Sequence, residues 1–229
     1  MLSLLAALAV LPADTITAKA DLGFVNTSGN SEVTSVNAGN RVELTGGAWG
    51  VTQAFGMIYG RTDGETSTSQ YRASLRGERG IAPRVELFLL TEFDRNTFAG
   101  ISSRYAQSAG VAVAVVAGDR DQLDLEVGAG YTWQNAVGPA PDREFSVGRA
   151  AARYRRALGE KAEFVQVVEF LPNFKEGDDR RVNSETSLSA PITTGIAMKA
   201  SYVIRYDGLP QPGFETTDRI LTTGIQVTF

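Results

Sequence analysis

The stretch from Asp121 to Asn135 leaves this chain little choice of structure. Leu123, Leu125, Val127, Ala129, Tyr131 and Trp133 alternate with Asp124, Glu126, Gly128, Gly130, Thr132 and Gln134. An extended strand places two such sets on opposite faces, whereas a helix scatters both around its circumference. The segment is therefore a strand with one apolar and one polar face, and the apolar face needs something to cover it.

The same period recurs along the chain. Turn residues divide it into twelve segments: Thr17–Ser28, Val33–Thr45, Ala48–Thr62, Thr66–Arg79, Arg84–Phe98, Ser102–Ala117, Asp121–Asn135, Asp142–Arg156, Glu160–Leu171, Arg181–Ala190, Ile192–Asp207 and Thr217–Phe229. Some faces are impure. Asn40 and Thr223 interrupt apolar rows, and Phe88 and Leu90 fall on a face otherwise carrying Glu86, Glu92 and Asp94. In the eighth segment Phe145 and Val147 share a parity with Arg149, Arg153 and Arg155. Either a β-bulge shifts the register there or the strand does not face lipid throughout. The ninth, with Val165 and Val167 among Phe164, Val168 and Phe170, has no assignable faces.

No apolar run reaches the ~18 residues of a membrane helix, the nearest internal candidate being Gly110 to Gly118. A membrane crossing must then use strands. A near-neutral mean hydropathy with 43% hydrophobic residues suits a barrel whose two faces average out, and suits a soluble β protein equally. Three patterns favour the barrel. Twelve is even, as a closed single-chain bacterial barrel requires. The connections alternate between short ones, such as Thr45 to Gly47 and Gly80 to Pro83, and generally longer ones, such as Pro172 to Asp179 and Gly208 to Phe214. Aromatic residues gather near strand ends: Phe24, Tyr59, Tyr71, Phe93, Tyr105, Tyr131, Trp133, Phe145, Phe170 and Tyr206 at one level, Trp49, Tyr154 and Phe229 at the other. The expected fold is an all-β transmembrane antiparallel up-and-down β-barrel of about twelve strands over residues 17–229, with both termini periplasmic. The last strand sets Leu221, Ile225, Val227 and Phe229 on one face. A terminal strand ending in Phe resembles the signal that the outer-membrane assembly machinery reads, so that machinery and outer-membrane lipid are the expected partners.

Met1 to Ala13, MLSLLAALAVLPA, reads as the apolar core of a secretory signal peptide. The basic residues that ordinarily precede such a core are missing, which points to a truncated or misplaced start. A buried amino-terminal helix is the alternative. Cysteine and histidine are both absent. That removes disulfides, thiolate metal sites, imidazole bases and Ser-His hydrolysis. A net charge of −4 offers no basic surface for nucleic acid.

Charged residues of the polar faces are the candidate site. Arg41, Glu43, Arg72, Arg76, Glu78, Glu86, Glu92, Asp124, Glu126, Arg149, Arg153, Glu185, Lys199 and Arg205 are expected to line the lumen. They could tune an aqueous passage or pair into a network that fills a closed interior, since charges in a low-dielectric space need partners. The acidic loops with Asp119 and Asp121, and with Glu176, Asp178 and Asp179, lack the calcium-loop pattern and read as solvated turns, so no metal or other cofactor is expected. Glu92 and Asp94 share a face that could do acid/base work, but nothing sets them apart from wall residues, and no catalytic residue is assigned.

The run Leu22 to Asn30, LGFVNTSGN, followed by Ser31 and Glu32, resembles the amino-terminal signature of the DUF481 family, the YdiY-type salt-induced outer-membrane proteins. The resemblance covers about Ala18 to Phe229 through the strand pattern. It implies an outer-membrane barrel and carries over no catalytic residue. The expected function is a narrow passive channel for ions or small solutes of unknown identity, or a structural, stress-related barrel. A histidine-independent outer-membrane enzyme and a soluble periplasmic lipocalin-like binding protein are the alternatives.

Overall fold

A computed structural model describes residues 13–27, 33–139, 141–159 and 162–229. The apolar leader up to Pro12 and the run Ser28 to Glu32, which carries the end of the family-like motif, lie outside the described residues. Twelve antiparallel strands form one sheet, each pairing with its chain neighbour: β1 (Thr15–Thr27), β2 (Val33–Gly46), β3 (Trp49–Thr62), β4 (Glu65–Ala82), β5 (Val85–Asn96), β6 (Ile101–Ala117), β7 (Asp121–Ala136), β8 (Arg143–Leu158), β9 (Ala162–Pro172), β10 (Arg180–Thr193), β11 (Ile196–Asp207) and β12 (Thr217–Thr228). Pairing of β1 with β12 closes the sheet into a barrel.

The closing seam is the shortest ladder. Lys19 to Leu22 pair with Thr228 to Ile225, against a ladder running from Thr15 to Thr27 between β1 and β2. Phe229 extends the seam by donating its backbone N–H to the Ala18 carbonyl at 2.8 Å.

Turn chemistry separates the two ends. At one end β2–β3, β4–β5 and β10–β11 are joined by two residues each, Gly47-Ala48, Pro83-Arg84 and Thr194-Gly195. Gly47 and Gly195 supply the positive φ that such tight reversals need, at 56° and 81°. At the other end Val137–Asp142, Asn173–Asp179 and Gly208–Thr216 form longer connections, although Asp63-Gly64 is as short as any turn opposite.

The outer surface is a belt of apolar side chains. Leu22, Phe24, Val127, Met198 and Leu221 are 59–70% exposed, far beyond what an apolar core residue of a soluble domain tolerates. The interior carries the charges. This inversion fits hydrocarbon outside and water within, the condition under which only a closed sheet satisfies every backbone group.

Two expectations need correction. The registers of β8 with β7 and with β9 run without a shift, so no bulge re-aims Phe145 and Val147. Both point into the barrel with Arg149, at 5% and 3% exposure, and Phe145 does not belong to the lipid-facing aromatic level. Phe88 and Leu90 face inward, as their shared parity with Glu86 and Glu92 predicts, and pack with Ala112, because the inward positions of β6 are small. Finally, β10 does not stop before Pro191. It continues to Thr193, with the irregularity between Pro191 and Thr193 admitting the proline next to the turn, so Ile192 belongs to β10 and β11 begins at Ile196.

The two faces respond oppositely to charge. Val127→Arg, on the outer face near the middle of β7, is expected to lower unfolding stability in lipid bilayers by about 2–4 kcal/mol. Ser187→Arg, on the inner face of β10, should cost no more than about 1 kcal/mol. Denaturant titration of both variants in vesicles checks the difference.

Candidate functional site

Alternation along twelve tilted strands delivers every second side chain to the lumen. Arg41, Glu43, Arg72, Arg76, Glu78, Glu86, Glu92, Asp124, Glu126, Arg149, Arg153, Glu185, Lys199 and Arg205 all line one interior cavity of about 1040 Å³. It runs from the short-turn end past the middle of the barrel, as far as Gln70 and Asn183. A second cavity of about 70 Å³ lies towards the long connections, where Ile101, Pro210 and Thr216 contribute to its wall. Arg72, Glu92, Asn183 and Arg205 border both cavities.

A belt of ion pairs fills one side of the lumen between them. Arg149 of β8 is its hub, with Nη1 donating to Glu169 of β9, Nη2 3.4 Å from Glu126 of β7 and Nη1 3.8 Å from Glu92 of β5. Arg76 of β4 reaches Glu126 at 3.0 Å, and Arg72 reaches Glu92 at 3.4 Å. Asn183 of β10 closes the chain by donating to Glu169 at 2.6 Å. Phe88 lies beneath the belt, its ring centroid 4.4 Å from the Arg76 guanidinium carbon and 5.9 Å from that of Arg149. Guanidinium on a ring face keeps both the charge and the apolar side chain in contact with something favourable. Gly110 on β6 is what lets Phe88 and β7 come this close: a Cβ there would sit 2.2 Å from the Val127 carbonyl oxygen and 2.9 Å from Phe88.

The large cavity is different in kind. Arg41 pairs with Glu43 at 2.5 Å and Lys199 with Asp21 at 3.0 Å. Glu86, Asp124, Arg153 and Glu185 make no ion pair within 4 Å among the described residues. Unpaired charges of both signs persist only where water solvates them. The wall formed by β1–β3, β11 and β12 adds small or neutral groups, such as Asn37, Thr52, Ser201, Thr222 and Gly224. The ion-pair belt thus bridges β4 to β10, while the large cavity beside it is lined from every part of the sheet.

Several lumen residues escaped the sequence reading. Glu169 was hidden in β9, whose inward Val165 and Val167 blur the alternation, yet it is the single charge within the run Phe164–Leu171. Arg181 shares its parity with Asn183 and Glu185 and could have been read from that alone. Asp94 and Asp207 have arginine partners, Arg205 at 3.6 Å and Arg104 at 3.2 Å. The acidic loop residues Glu176 and Asp179 bind Arg143 at 2.6 and 3.0 Å. Among the described residues no three carboxylates gather as a metal site. Leu221, Ile225 and Phe229 project outward and are exposed, with Val227 half-buried beside them.

A family model described as "Protein of unknown function, DUF481" matches residues 20–229. No curated protein sequence matches. Among solved structures, the NanC porin superposes with a TM-score of 0.50 at 9% identity, covering 93% of this chain and 98% of that one. The translocator domain of the autotransporter NalP from Neisseria meningitidis gives 0.47 at 14% identity, with 93% and 86% coverage. A porin refined at 1.8 Å gives 0.44 at 7% identity, with 94% and 99% coverage. At these identities the likeness is one of fold: a membrane β-barrel.

The belt has an unequal dependence on its members. In Arg149→Met, Glu92 and Glu126 keep Arg72 and Arg76, while Glu169 keeps only Asn183. The variant is expected to lose about 3–5 kcal/mol of stability. Adding Glu169→Gln should restore most of it, as read by denaturant unfolding of the two variants and the wild type.

Proposed function

The chain belongs to the DUF481 family, and from that premise together with the divided lumen we propose a narrow passive channel of the outer membrane for ions or small solutes. The observation that carries this reading is the 1040 Å³ cavity whose charges Glu86, Asp124, Arg153 and Glu185 lack ion-pair partners, joined through shared walls to the 70 Å³ cavity. A barrel built only to be stable would gain by pairing or removing them. Passage is limited at the smaller cavity, where Arg72, Glu92, Asn183 and Arg205 stand between the two. No catalysis is needed for this role.

The ion-pair belt favours a second reading, a structural barrel with a closed interior. Planar bilayers separate the two. Purified wild-type protein is expected to show small discrete conductance steps, and Arg205→Ala to enlarge them by opening the shared wall. A correctly folded barrel that stays silent in both forms would leave the structural reading.

Orientation follows from the turns. The short-turn end, which carries both strand termini, faces the periplasm in this reading, and the longer connections face outward. Leu221, Ile225, Val227 and Phe229 then serve the assembly machinery as the last lipid-facing strand. Deletion of Phe229 removes one seam hydrogen bond and an exposed ring. It should reduce the amount of heat-modifiable barrel recovered from outer membranes several-fold while leaving the conductance of the inserted fraction unchanged. Normal recovery would count against the signal role.

A further inference from the structure

One buried guanidinium in the barrel has no ion-pair partner among the described residues. Arg181 of β10 is 6% exposed, and among the described residues no carboxylate oxygen lies within 4 Å of it. The carboxylates around it are already engaged. Asp207, its cross-strand partner, is 3.2 Å from Arg104. Asp179 is held by Arg143 at 3.0 Å and by Asn173 at 2.9 Å. Glu169 is held by Arg149 and Asn183. Arg181 keeps one hydrogen bond, from Nη2 to Oγ1 of the fully buried Thr132 at 3.3 Å, and the face of Phe145, whose centroid is 5.6 Å from its guanidinium carbon. Its Nε has no acceptor, and neither has the Nε of Arg205 on the neighbouring strand.

Arg181, Thr132 and Arg205 all line the 70 Å³ cavity. A guanidinium stays charged and presents a rigid fork of donors matched to a carboxylate, so leaving it buried with one neutral acceptor and no paired carboxylate is costly. By the measure that one water needs 10–15 Å³, the cavity holds about five waters, or a carboxylate group with a few waters around it. Its wall also carries carboxylates. Glu92, Asp94 and Asp207 are each matched to an arginine, Asp218 accepts a hydrogen bond from Asn96, and Glu215 stands with Asp218 on β12's side of the mouth. Asp94 Oδ1 is buried without a hydrogen-bond donor, and of the four arginines on this wall Arg181 is the one with no carboxylate oxygen within 4 Å among the described residues.

We infer that this cavity is an anion site in which Arg181, flanked by Thr132 and Arg205, receives the carboxylate of a small organic acid, free or as the end group of a larger one. The inference rests on the channel reading for its part in passage and gives that passage a chemical class of solute, but occupancy itself does not require conduction. Thr132 Oγ1 stays an acceptor for Arg181 and turns its hydroxyl hydrogen towards the bound oxygen. The positive fork and the hydroxyl then satisfy an anion that Phe145 and Val147 shield from one side.

Isothermal titration of the full-length barrel in detergent, with sodium acetate and separately with sodium gluconate at fixed ionic strength, tests the site. Saturable binding of acetate is expected, weakened at least tenfold in Arg181→Gln and less in Arg181→Lys, which keeps the charge without the fork. Thr132→Val should weaken it by a smaller factor. Gel mobility before and after heating verifies that each variant is folded. Gluconate binding as tightly as acetate identifies the end group of a larger acid, and binding of acetate alone identifies a free small acid. Absence of saturable binding of either acid to the folded wild type, or equal binding by folded Arg181→Gln, overturns the site whether or not the barrel conducts. Acetate binding by a barrel silent in bilayers leaves the site standing and removes only the channel.

Discussion

Hydrocarbon offers no hydrogen bonds to a peptide group, and the whole molecule is arranged around that deficit. Each of the twelve strands satisfies its neighbours along nearly its full length, and the ladder from β1 round to β12 leaves a single short join. Closure is therefore decided at the seam, where only Lys19 to Leu22 and the Phe229–Ala18 bond connect the ends of the sheet. Gly23 and Gly224 face each other just beyond it, and a Cβ on either would strike the opposing backbone at 2.2–2.4 Å. The terminal strand matters more than its length suggests because it completes this last ladder while showing lipid, from Leu221 to Phe229, a row of apolar side chains broken by Thr223.

Once the sheet is closed, the same alternation that dresses the outside fills the inside, and the interior has to resolve many charges. It does so in two ways. On the β4–β10 side arginines and carboxylates pair across strands, with Arg149 shared among three carboxylates and Phe88 carried beneath two guanidiniums. Nearer the short turns Glu86, Asp124, Arg153 and Glu185 on these same strands are left to water, and the facing wall adds only the pairs Arg41–Glu43 and Lys199–Asp21. Pairing of this density confers rigidity rather than much net stability, since desolvating two ions offsets most of their attraction. Arg181, buried without an ion-pair partner among the described residues, lies in the narrow cavity beside the belt, which gives the smallest part of the lumen the most specific chemistry.

Much of this was readable from residue order where the two faces meet different solvents. β7 and β12 alternate cleanly because one face of each sees lipid and the other sees a polar lumen. The reading failed where the lumen itself is apolar. Phe145 and Val147 on β8 and Val165 and Val167 on β9 turn inward against other side chains, and period two cannot tell a residue packed inside the barrel from one packed against lipid, whereas the charges beside Phe88 and Leu90 on β5 gave their face away. The Pro191 boundary failed for another reason: a proline close to a turn is accommodated by an irregular register that leaves no mark in the sequence. Parity assigned Arg72, Arg76, Glu92, Glu126 and Arg149 to one face, but which of them meet depends on strand tilt and lumen width, and neither is written in any one segment.

Because the chain contains no cysteine, single introduced thiols report on their surroundings without background. The most direct check of a water-filled lumen enclosed by a lipid-facing sheet is the reaction of a charged, water-soluble thiosulfonate with Ser187→Cys and Leu188→Cys in reconstituted bilayers. The two positions are adjacent on β10 and face opposite ways. The account predicts rapid modification of the thiol at position 187 and near-complete protection of the one at 188. Equal rates, or the reverse order, would contradict it.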